Sequence, residues 1–251
     1  MLAAERATIL EPLALERRSV LDIGSWNGYF AFEAKRLGAA AVTASDSYTW
    51  RHPDLHGRAT FDLARTCLGL DIEAVEIDPT DLPGSLAPHD IVLFRGVFYH
   101  LFDPIDVLGR VASLARDVLV VETHEALQQI DRPAMIFYPG RSLNNDPTNW
   151  WAPNPECLFE LLSAQGFQRI FYQHHPAAST RGIYHACRSA ETAAAYLRRQ
   201  PDNASLFDLN TAEGRAHIFA QRGASIGVRQ ALRQAAQAIT ASIRWRLLSR
   251  R

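Results

Sequence analysis

Short apolar runs alternate with helix-like stretches over the first three-quarters of the chain. The strand-like runs are brief and bounded by glycine, proline or charged residues, and they occupy residues 19–23, 41–45, 72–77, 91–94, 118–121, 167–172 and 182–187. Helix-like stretches lie between them, most clearly over 29–37, 104–114 and 154–164. Near-continuous apolar strands joined by helices are typical of a largely parallel sheet covered on both faces. This order predicts a doubly wound α/β fold.

The character of the chain changes near residue 189. Residues 190–251 have helical periodicity, and no acidic residue follows Glu213. Apolar positions recur at spacings of three and four from Val228 to Ile243, which creates one apolar face. Eight arginines lie along the same stretch: Arg215, Arg222, Arg229, Arg233, Arg244, Arg246, Arg250 and Arg251. We expect a main domain over 1–189 and a helical extension over 190–251. The basic part of that extension packs on the domain or forms a homodimer, lies on an anionic membrane surface, or contacts nucleic acid.

Composition excludes several classes of protein. The chain is 47% hydrophobic and 21% charged, which is ordinary for a globular domain and excludes a disordered one. Its net charge of −1 excludes a strongly basic nucleic-acid footprint over the whole chain. Cys67, Cys157 and Cys187 are widely spaced, which argues against a disulfide scaffold or zinc module. With no signal peptide and no run of roughly 20 apolar residues, the sequence predicts a cytoplasmic protein, with peripheral contact to the inner face of the membrane left open.

A glycine-rich turn directly follows the first strand. It consists of Asp22-Ile-Gly24-Ser-Trp-Asn-Gly28-Tyr, and such a turn lets the backbone approach a nucleotide-like ligand at the carboxyl edge of a sheet. Asp46 ends the second strand 22 residues after Gly24, near the spacing of an acid that binds ribose hydroxyls. Asp78 ends the third strand. Because these groups follow successive strands, we expect them to converge on one crevice.

Two departures from the dinucleotide-binding pattern narrow the choice of ligand. Trp26 stands where a second glycine would let a pyrophosphate approach, and Tyr29 stands at the third glycine position. The chain also has no G-x-x-x-x-G-K-[ST] phosphate loop. A ligand with ribose and adenine but no phosphate fits better, which favours S-adenosylmethionine.

Residues 19–188 resemble the class I S-adenosylmethionine-dependent methyltransferases. The resemblance rests on V-L-D-I-G-x-x-x-G, the acid at the second strand end, D-P-T-D-L-P after the third strand, and G-V-F-Y-H-L-F-D-P over 96–104. It implies a seven-stranded Rossmann-like sheet whose last strand is antiparallel. Within that family, G-V-F-Y-H, V-V-E-T-H and the segment from F-Y-P-G to N-W-W-A-P-N-P are similar to the wobble-uridine tRNA carboxymethyltransferase-like branch. Many members of that branch look like methyltransferases of sugars, glycans or other small molecules.

The resemblance also implies which residues bind the cofactor. Asp22 and Gly24 would shape the turn under the methionine moiety. Asp46 would hold the ribose hydroxyls, and Asp78 would meet the adenine amine. The full set is Asp22, Gly24, Ser25, Trp26, Gly28, Tyr29, Asp46, Asp78, Pro79, Arg95 and Gly96, the last two lining the sulfonium end.

Two features separate the chain from the tRNA enzymes of that branch. Trp26 occupies a position where the family usually has glycine. The tRNA enzymes recognise a carboxylated cofactor partly through a lysine before the first strand, whereas the only lysine here is Lys35, inside the first helix. Tyr29 does match a cofactor-contacting tyrosine of that branch, and plain S-adenosylmethionine is favoured.

Three residues are candidates for the base that a hydroxyl acceptor needs. Glu122 and His124 lie two apart at the end of the fifth strand and therefore project from the same face. His100 follows the fourth strand. As alternatives, His124 is a hydrogen-bonded strand-end residue and His100 fixes its own loop. A divalent metal at Glu122, His124 and a nearby aspartate lacks any fixed ligand spacing, so no metal is expected.

The segment 144–155 is the best candidate for acceptor recognition. Its candidate acceptor-binding residues are Asn144, Asn145, Asn149, Trp150 and Trp151. Amides beside broad aromatic faces suit a sugar ring or a stacked base. The alternative is a proline-rich connection whose tryptophans fill the core beneath it. His174 and His175, just past a strand, are expected at the surface.

The sequence thus favours transfer of a methyl group from S-adenosylmethionine to an oxygen of a sugar, glycan or other small molecule. His124, assisted by Glu122, would be the base of an in-line reaction. One alternative is a tRNA wobble-uridine enzyme, which the near-neutral charge disfavours because phosphate neutralisation dominates nucleic-acid affinity. Another is a non-catalytic binding or scaffold protein that keeps the fold and the cofactor pocket.

Overall fold

The computed structural model describes residues 2–200 and 205–223. Its strands are β1 Ser19–Ile23, β2 Ala41–Asp46, β3 Glu73–Glu76, β4 His89–Arg95, β5 Ala115–His124, β6 Met135–Phe137, β7 Trp151–Pro153, β8 Arg169–His174, β9 Arg181–Cys187 and β10 Phe207–Asp208. Its α-helices are α1 Leu2–Ile9, α2 Tyr29–Arg36, α3 Tyr48–Arg51, α4 Gly57–Leu68, α5 Pro104–Ser113, α6 Pro155–Ala164, α7 Ala190–Leu197 and α8 Ala212–Gly223. Two single-turn 3₁₀ helices, Pro79–Asp81 and Phe98–His100, follow β3 and β4.

One sheet with the order β10-β8-β9-β5-β4-β1-β2-β3 forms the centre of the domain. Strands β1 to β5 pair in parallel, and β9 runs antiparallel to both β5 and β8. This confirms the predicted α/β fold and its antiparallel strand. The predicted strand count of seven is wrong for the described residues, because Phe207–Asp208 adds an eighth strand beside β8. The extension, predicted as purely helical, therefore also contributes to the sheet.

Apolar residues cover both faces of the sheet. Successive residues of β1 point to opposite sides, so Leu21 and Ile23 pack with α5 and α6, whereas Val20 packs in the layer that contains α2 and α4. Burial on both faces explains why the parallel strands are nearly continuous apolar runs.

The sheet order reverses between β1 and β4, because β2 pairs with one side of β1 and β4 with the other. The loops after these strands separate to opposite faces at that point, which opens a crevice at the carboxyl edge. The turns after β1, β2, β3, β4 and β5 all lie along this edge. The crevice is therefore where the residues singled out in the sequence can meet.

The described part of the extension packs against the domain. In α8, the Arg215 guanidinium lies 3.4 Å from a carboxylate oxygen of Glu156 and 5.1 Å from the ring centroid of Phe159, both in α6. The apolar face from Val228 to Ile243 lies outside the described residues. Within the described ranges, no helix is both long and apolar enough to cross a membrane.

Candidate active site

The glycine turn after β1 has a shape that larger residues would disrupt. Gly28 has φ +84°, and a Cβ there would come within 2.6 Å of the rings of Phe32 and Phe61. Gly24 has φ +74°, and its Cβ would meet Val97 Cγ2 at 2.3 Å. Both positions therefore require glycine, and the turn after β1 lies directly against the loop after β4.

Asp46 holds this turn in place. Its carboxylate accepts hydrogen bonds from the backbone N–H of Trp26 at 3.0 Å and of Thr49 at 2.9 Å. The side chain is buried at the end of β2. It thus links the glycine turn to the start of α3, and its oxygens lie where the sequence predicted a ribose-binding acid.

Asp78 lies at the end of the neighbouring strand, where it caps the 3₁₀ helix that includes Pro79. The hydroxyl of Ser47 donates to it at 2.9 Å, and the backbone N–H and hydroxyl of Thr80 donate at 3.0 and 2.7 Å. Partial burial opposes ionisation, but these bonds outweigh it and lower the pKa of Asp78. Ser47 directly follows Asp46, so the two acids are tied together at one edge of the crevice.

Trp26, the departure from the family pattern, does not fill the turn. Its backbone is left-handed, its indole is 50% exposed, and its carbonyl accepts a hydrogen bond from the buried Trp50 indole at 2.7 Å. Tyr29 begins α2, with its ring edge-on to Phe30. The indole of Trp26 therefore stands beside the crevice, and the core beneath the turn is filled by Trp50 and Phe61.

Asp22 and Arg95 form a charged layer beneath the turn. Burial raises the pKa of Asp22, and Arg95 is the strongest opposing influence. The Arg95 guanidinium lies 3.2 Å from the ring centroid of Phe30 and pairs with Glu5 of α1. Its buried Nε has no acceptor among the described residues. Arg95 therefore contacts α1 and α2, next to the turn assigned to the methionine moiety.

His175 corrects one sequence expectation. It was expected at the surface, but its side chain is only 7% exposed, and Nε2 lies 3.5 Å from Glu5 Oε1. Burial opposes ionisation of Glu5, yet His175 and Arg95 outweigh it and lower its pKa to about 2. The expectation fails because α1, which the sequence reasoning did not identify, covers His175.

Glu122 lies across the crevice and is already paired. Arg181 binds its carboxylate with two nitrogens, Nη2 at 2.7 Å from Oε2, and the same Nη2 donates to the Tyr99 hydroxyl at 3.2 Å. A Cβ on Gly96 would meet nothing closer than Arg181 Nη2 at 3.6 Å, with Tyr99 and Glu122 slightly beyond. The space in front of Gly96 is therefore bordered by an ion pair and a phenol, and Glu122 has little capacity left to act as a base.

Two imidazoles flank Tyr99. The His124 ring packs edge-on at 4.5 Å between centroids, and the His100 ring lies at 4.2 Å. His124 Nε2 accepts from the Asn144 amide at 3.1 Å. Burial, followed by the charge of Arg181, lowers the pKa of His124 to about 4. The structure thus places both predicted histidines beside the Tyr99 ring. His124, which the sequence favoured as the base, is hydrogen-bonded to Asn144.

The loop 144–150 lies over the 3₁₀ helix after β4. Trp150 N–H donates to Tyr99 carbonyl at 2.8 Å, and His100 Nδ1 contacts Thr148. Asn149 is buried and donates to Leu143 carbonyl at 3.1 Å, so this predicted acceptor-binding residue supports the loop. Asn145 is exposed and in left-handed backbone.

Four aromatic rings, two of them exposed and two half-buried, form a cluster beside this loop. Trp150 stacks on Phe137 at 6.0 Å, Trp151 contacts Phe137 at 5.0 Å, and Phe102 lies edge-on to Trp150 at 5.4 Å. Phe102 and Phe137 are 70% and 40% exposed. We call Phe102, Phe137, Trp150 and Trp151 the aromatic cluster. Trp150 and Trp151 are half-buried at this surface, and the sequence reasoning did not identify the two phenylalanines beside them.

Sequence reasoning also missed Tyr99 and Arg181. Tyr99 lies inside the quoted G-V-F-Y-H motif, directly before His100, so the motif itself was a usable signal. Arg181 has no such signal, because it reaches Glu122 only through the antiparallel pairing of β5 with β9. In residues 2–200 and 205–223, no three histidine, cysteine, aspartate or glutamate side chains are grouped so that they could hold a metal ion.

Comparisons with known proteins agree with this architecture. Residues 2–174 match the family described as a methyltransferase domain. The tRNA U34 carboxymethyltransferase of Campylobacter jejuni subsp. jejuni serotype O:6 is 26% identical over 165 residues, covering 64% of this chain and 54% of that protein. The protein of the same name from Cellvibrio japonicus is 29% identical over 162 residues, covering 62% and 47%. The chain thus spans about half the length of the curated relatives it matches. The sequence disfavoured a nucleic-acid partner, and the names of these relatives do not support that expectation.

Solved structures give the same fold at low identity. Magnesium protoporphyrin IX methyltransferase from Synechocystis PCC 6803 with bound SAH has a TM-score of 0.53 at 16% identity, covering 70% of this chain and 76% of that one. The 1,6-didemethyltoxoflavin-N1-methyltransferase of Burkholderia thailandensis, with bound 1,6-didemethyltoxoflavin and S-adenosylhomocysteine, has a TM-score of 0.54 at 19% identity, covering 74% and 76%. The family match and the sheet order together establish that the chain belongs to the methyltransferase domain family and has the class I fold.

Proposed function

We propose that this protein transfers the methyl group of S-adenosylmethionine to an oxygen of a small-molecule or glycan acceptor. The observation that carries the proposal is the joined pair of strand-end acids, Asp46 and Asp78, beside a glycine turn that tolerates no side chain at Gly24 or Gly28. Carboxylates on adjacent strands suit the ribose hydroxyls and the adenine amine of one adenosyl group.

The other end of the crevice suits the methionine part of that cofactor. The buried Nε of Arg95 has no acceptor in the described part of the chain, and a carboxylate would satisfy it. A guanidinium beside a sulfonium would be repulsive, so we assign Arg95 to the methionine carboxylate and Gly96 to the sulfonium side. When bound, S-adenosylmethionine supplies a methyl group that its positively charged sulfur already activates.

The acceptor belongs on the side of Tyr99 and the aromatic cluster. The rings offer broad apolar faces, and the exposed amide of Asn144 offers hydrogen-bonding groups beside them. Faces and amides together suit a sugar ring or an aromatic hydroxyl compound. Methyl transfer then depends mainly on in-line positioning of the acceptor oxygen, with a histidine next to Tyr99 to take its proton.

Calorimetry and a transfer assay test this proposal. Wild-type protein should bind S-adenosylmethionine but not NAD, and Asp46→Ala should weaken binding by about 1–3 kcal/mol, the scale for removing a buried hydrogen-bonding group. Asp54→Asn, at an exposed aspartate, is the matched control. Methyl-labelled cofactor is then incubated with D-fucose, catechol and unmodified tRNA, followed by mass spectrometry. Normal binding by Asp46→Ala would remove the cofactor assignment, and binding without transfer to any pool of acceptors would favour the non-catalytic alternative.

A tRNA wobble-uridine enzyme is the second candidate, because the curated relatives of this chain carry that name. The same incubation distinguishes it, since label would then appear in tRNA. Binding of tRNA should weaken steeply with added salt, because association releases counterions. A carboxylated cofactor that binds more tightly than S-adenosylmethionine would support the same candidate.

A further inference from the structure

We propose that His100 is the base that takes the acceptor proton, and that Thr148 and Asp146 fix the protonation of its ring. This inference rests on the proposed function and names the residue that performs one step of it. It moves the base role away from His124 and Glu122, which the sequence favoured.

The hydrogen bonds of His100 determine which ring nitrogen carries the proton. Nδ1 lies 3.1 Å from the Thr148 carbonyl oxygen and 2.8 Å from the Thr148 hydroxyl. A carbonyl oxygen can only accept, so Nδ1 must be the protonated nitrogen. The Thr148 hydroxyl donates its own hydrogen to Asp146 Oδ1 at 2.7 Å, which leaves it able to accept from Nδ1. Nε2 therefore carries the lone pair, and no residue in the described ranges hydrogen-bonds to it.

Asp146 is anchored as a carboxylate. Burial opposes its ionisation, but hydrogen bonds from the hydroxyl and the backbone N–H of Thr148 outweigh this and lower its pKa. The negative charge acts through Thr148 on the imidazole, favouring the imidazolium that forms when a proton arrives. This order of carboxylate, connecting group and histidine has the logic by which hydrolase triads orient a base.

The groups around His100 keep it neutral before the reaction. Burial lowers its pKa, Arg181 acts in the same direction, and the Thr148 carbonyl and Asp146 oppose them. Tyr99 and His124 are the other titratable groups facing it. A neutral imidazole with a free Nε2 is the form a general base requires.

The two rivals are less suited to the step. His124 uses the Nε2 lone pair to accept from Asn144, and a pKa of about 4 makes it a weak base. Glu122 is held by two nitrogens of Arg181. In the proposed step, the acceptor oxygen bonds to the methyl carbon as the carbon–sulfur bond breaks and its electron pair stays on sulfur. The hydroxyl proton passes to Nε2 of His100.

Nitrogen NMR of histidine-labelled protein tests the assignment without an acceptor. With His100→Gln identifying the signal, wild type should show a protonated Nδ1 and an unprotonated Nε2 at neutral pH. Asp146→Asn should lower the pKa of His100, because the opposing negative charge is lost. An Nε2-protonated ring, or a His100 pKa indifferent to Asp146→Asn, would overturn the proposal.

Turnover of whichever acceptor is methylated supplies the second readout. His100→Gln should reduce kcat about 10²–10⁴-fold, and Thr148→Val about tenfold, whereas Thr66→Val on the exposed face of α4 should change neither kcat nor KM. In Asp146→Asn the rise of rate with pH should move to lower pH, which a merely structural role would not cause. Full activity of His100→Gln would overturn the inference while leaving the proposed function intact. Failure of wild type to bind S-adenosylmethionine would instead contradict the proposed function.

Discussion

Arg181 and Glu122 form a bidentate ion pair between β9 and β5, with Nη2 2.7 Å from Oε2 and the glutamate almost wholly buried. The pair adjoins Gly96 and the Tyr99 hydroxyl. The two charges compensate each other, so the pair couples the antiparallel strand to the rim of the crevice.

Removing one partner of this pair should be costly. Glu122→Gln leaves the partly buried guanidinium of Arg181 without its carboxylate partner, and we expect a loss of about 3 kcal/mol in the free energy of unfolding, the lower end of the range for a broken buried pair. Arg116 and Asp90 lie 3.6 Å apart at a more exposed site, so Arg116→Met should cost less than about 1 kcal/mol. Urea denaturation of both variants checks this, and equal losses would contradict it.

Two glycines with similar backbones should respond differently to alanine. Gly28 and Gly69 have φ of +84° and +60°, but a Cβ on Gly28 meets two phenylalanine rings whereas one on Gly69 meets nothing within 4 Å. We expect Gly69→Ala to cost about 1 kcal/mol, the left-handed strain alone. Gly28→Ala should cost a further 1–3 kcal/mol or so from overpacking, measured by thermal unfolding. Equal stability losses in the two variants would show that the phenylalanine rings beside Gly28 move aside at no cost.

The aromatic cluster should serve acceptor binding more than stability. Phe102→Ala removes a ring that is 70% exposed, so the free energy of unfolding should change by less than about 1 kcal/mol. The KM of the Phe102→Ala variant for the acceptor substrate should rise several-fold, while its affinity for S-adenosylmethionine stays constant. Leu63→Ala, at a comparably exposed position of α4, is the control. Unaltered acceptor KM in Phe102→Ala would place the acceptor elsewhere.

Stability should fall as the pH drops from about 6.5 towards 4, partly through His185. Burial lowers the pKa of this histidine to about 4, from an ordinary value of 6.5. The unfolded chain therefore takes up the proton first, and the stability contribution, complete above pH 6.5, is lost by about pH 4. The full effect is about 3 kcal/mol.

His185→Phe should flatten the dependence of unfolding free energy on pH across that interval. His56→Asn, at an exposed position with left-handed backbone, should leave the slope unchanged. Parallel slopes for wild type and His185→Phe would mean that another group causes the acid sensitivity.

The strands and the acids after them could be predicted because their signals are local. The run 19–23 became β1 with the same bounds, and Asp46 ends β2 as expected. The hairpin of β6 and β7 was missed, since each strand has only three residues and β7 lies inside the segment 144–155 that the sequence marked for acceptor binding. The burial of His175 depends on a helix 170 residues earlier in the chain, which no local pattern reveals.

From sequence, three residues were candidates for the base, and His124, assisted by Glu122, was favoured over His100. Glu122 and His124 lie at the end of β5 and His100 follows β4, so all three lie at the crevice and their positions do not show which of them is free to accept a proton. The ranking that we propose rests on Arg181, Asn144 and Thr148, partners brought in by tertiary packing.

Asn144 and Thr148 belong to one short segment, and each contacts a different imidazole beside Tyr99. Exchanging this segment for that of a homologue, in order to change which acceptors are methylated, would therefore also change the hydrogen bonds that both histidines make. Libraries aimed at altered selectivity should diversify Asn145, Trp150 and Phe102 and keep Asp146 and Thr148 constant.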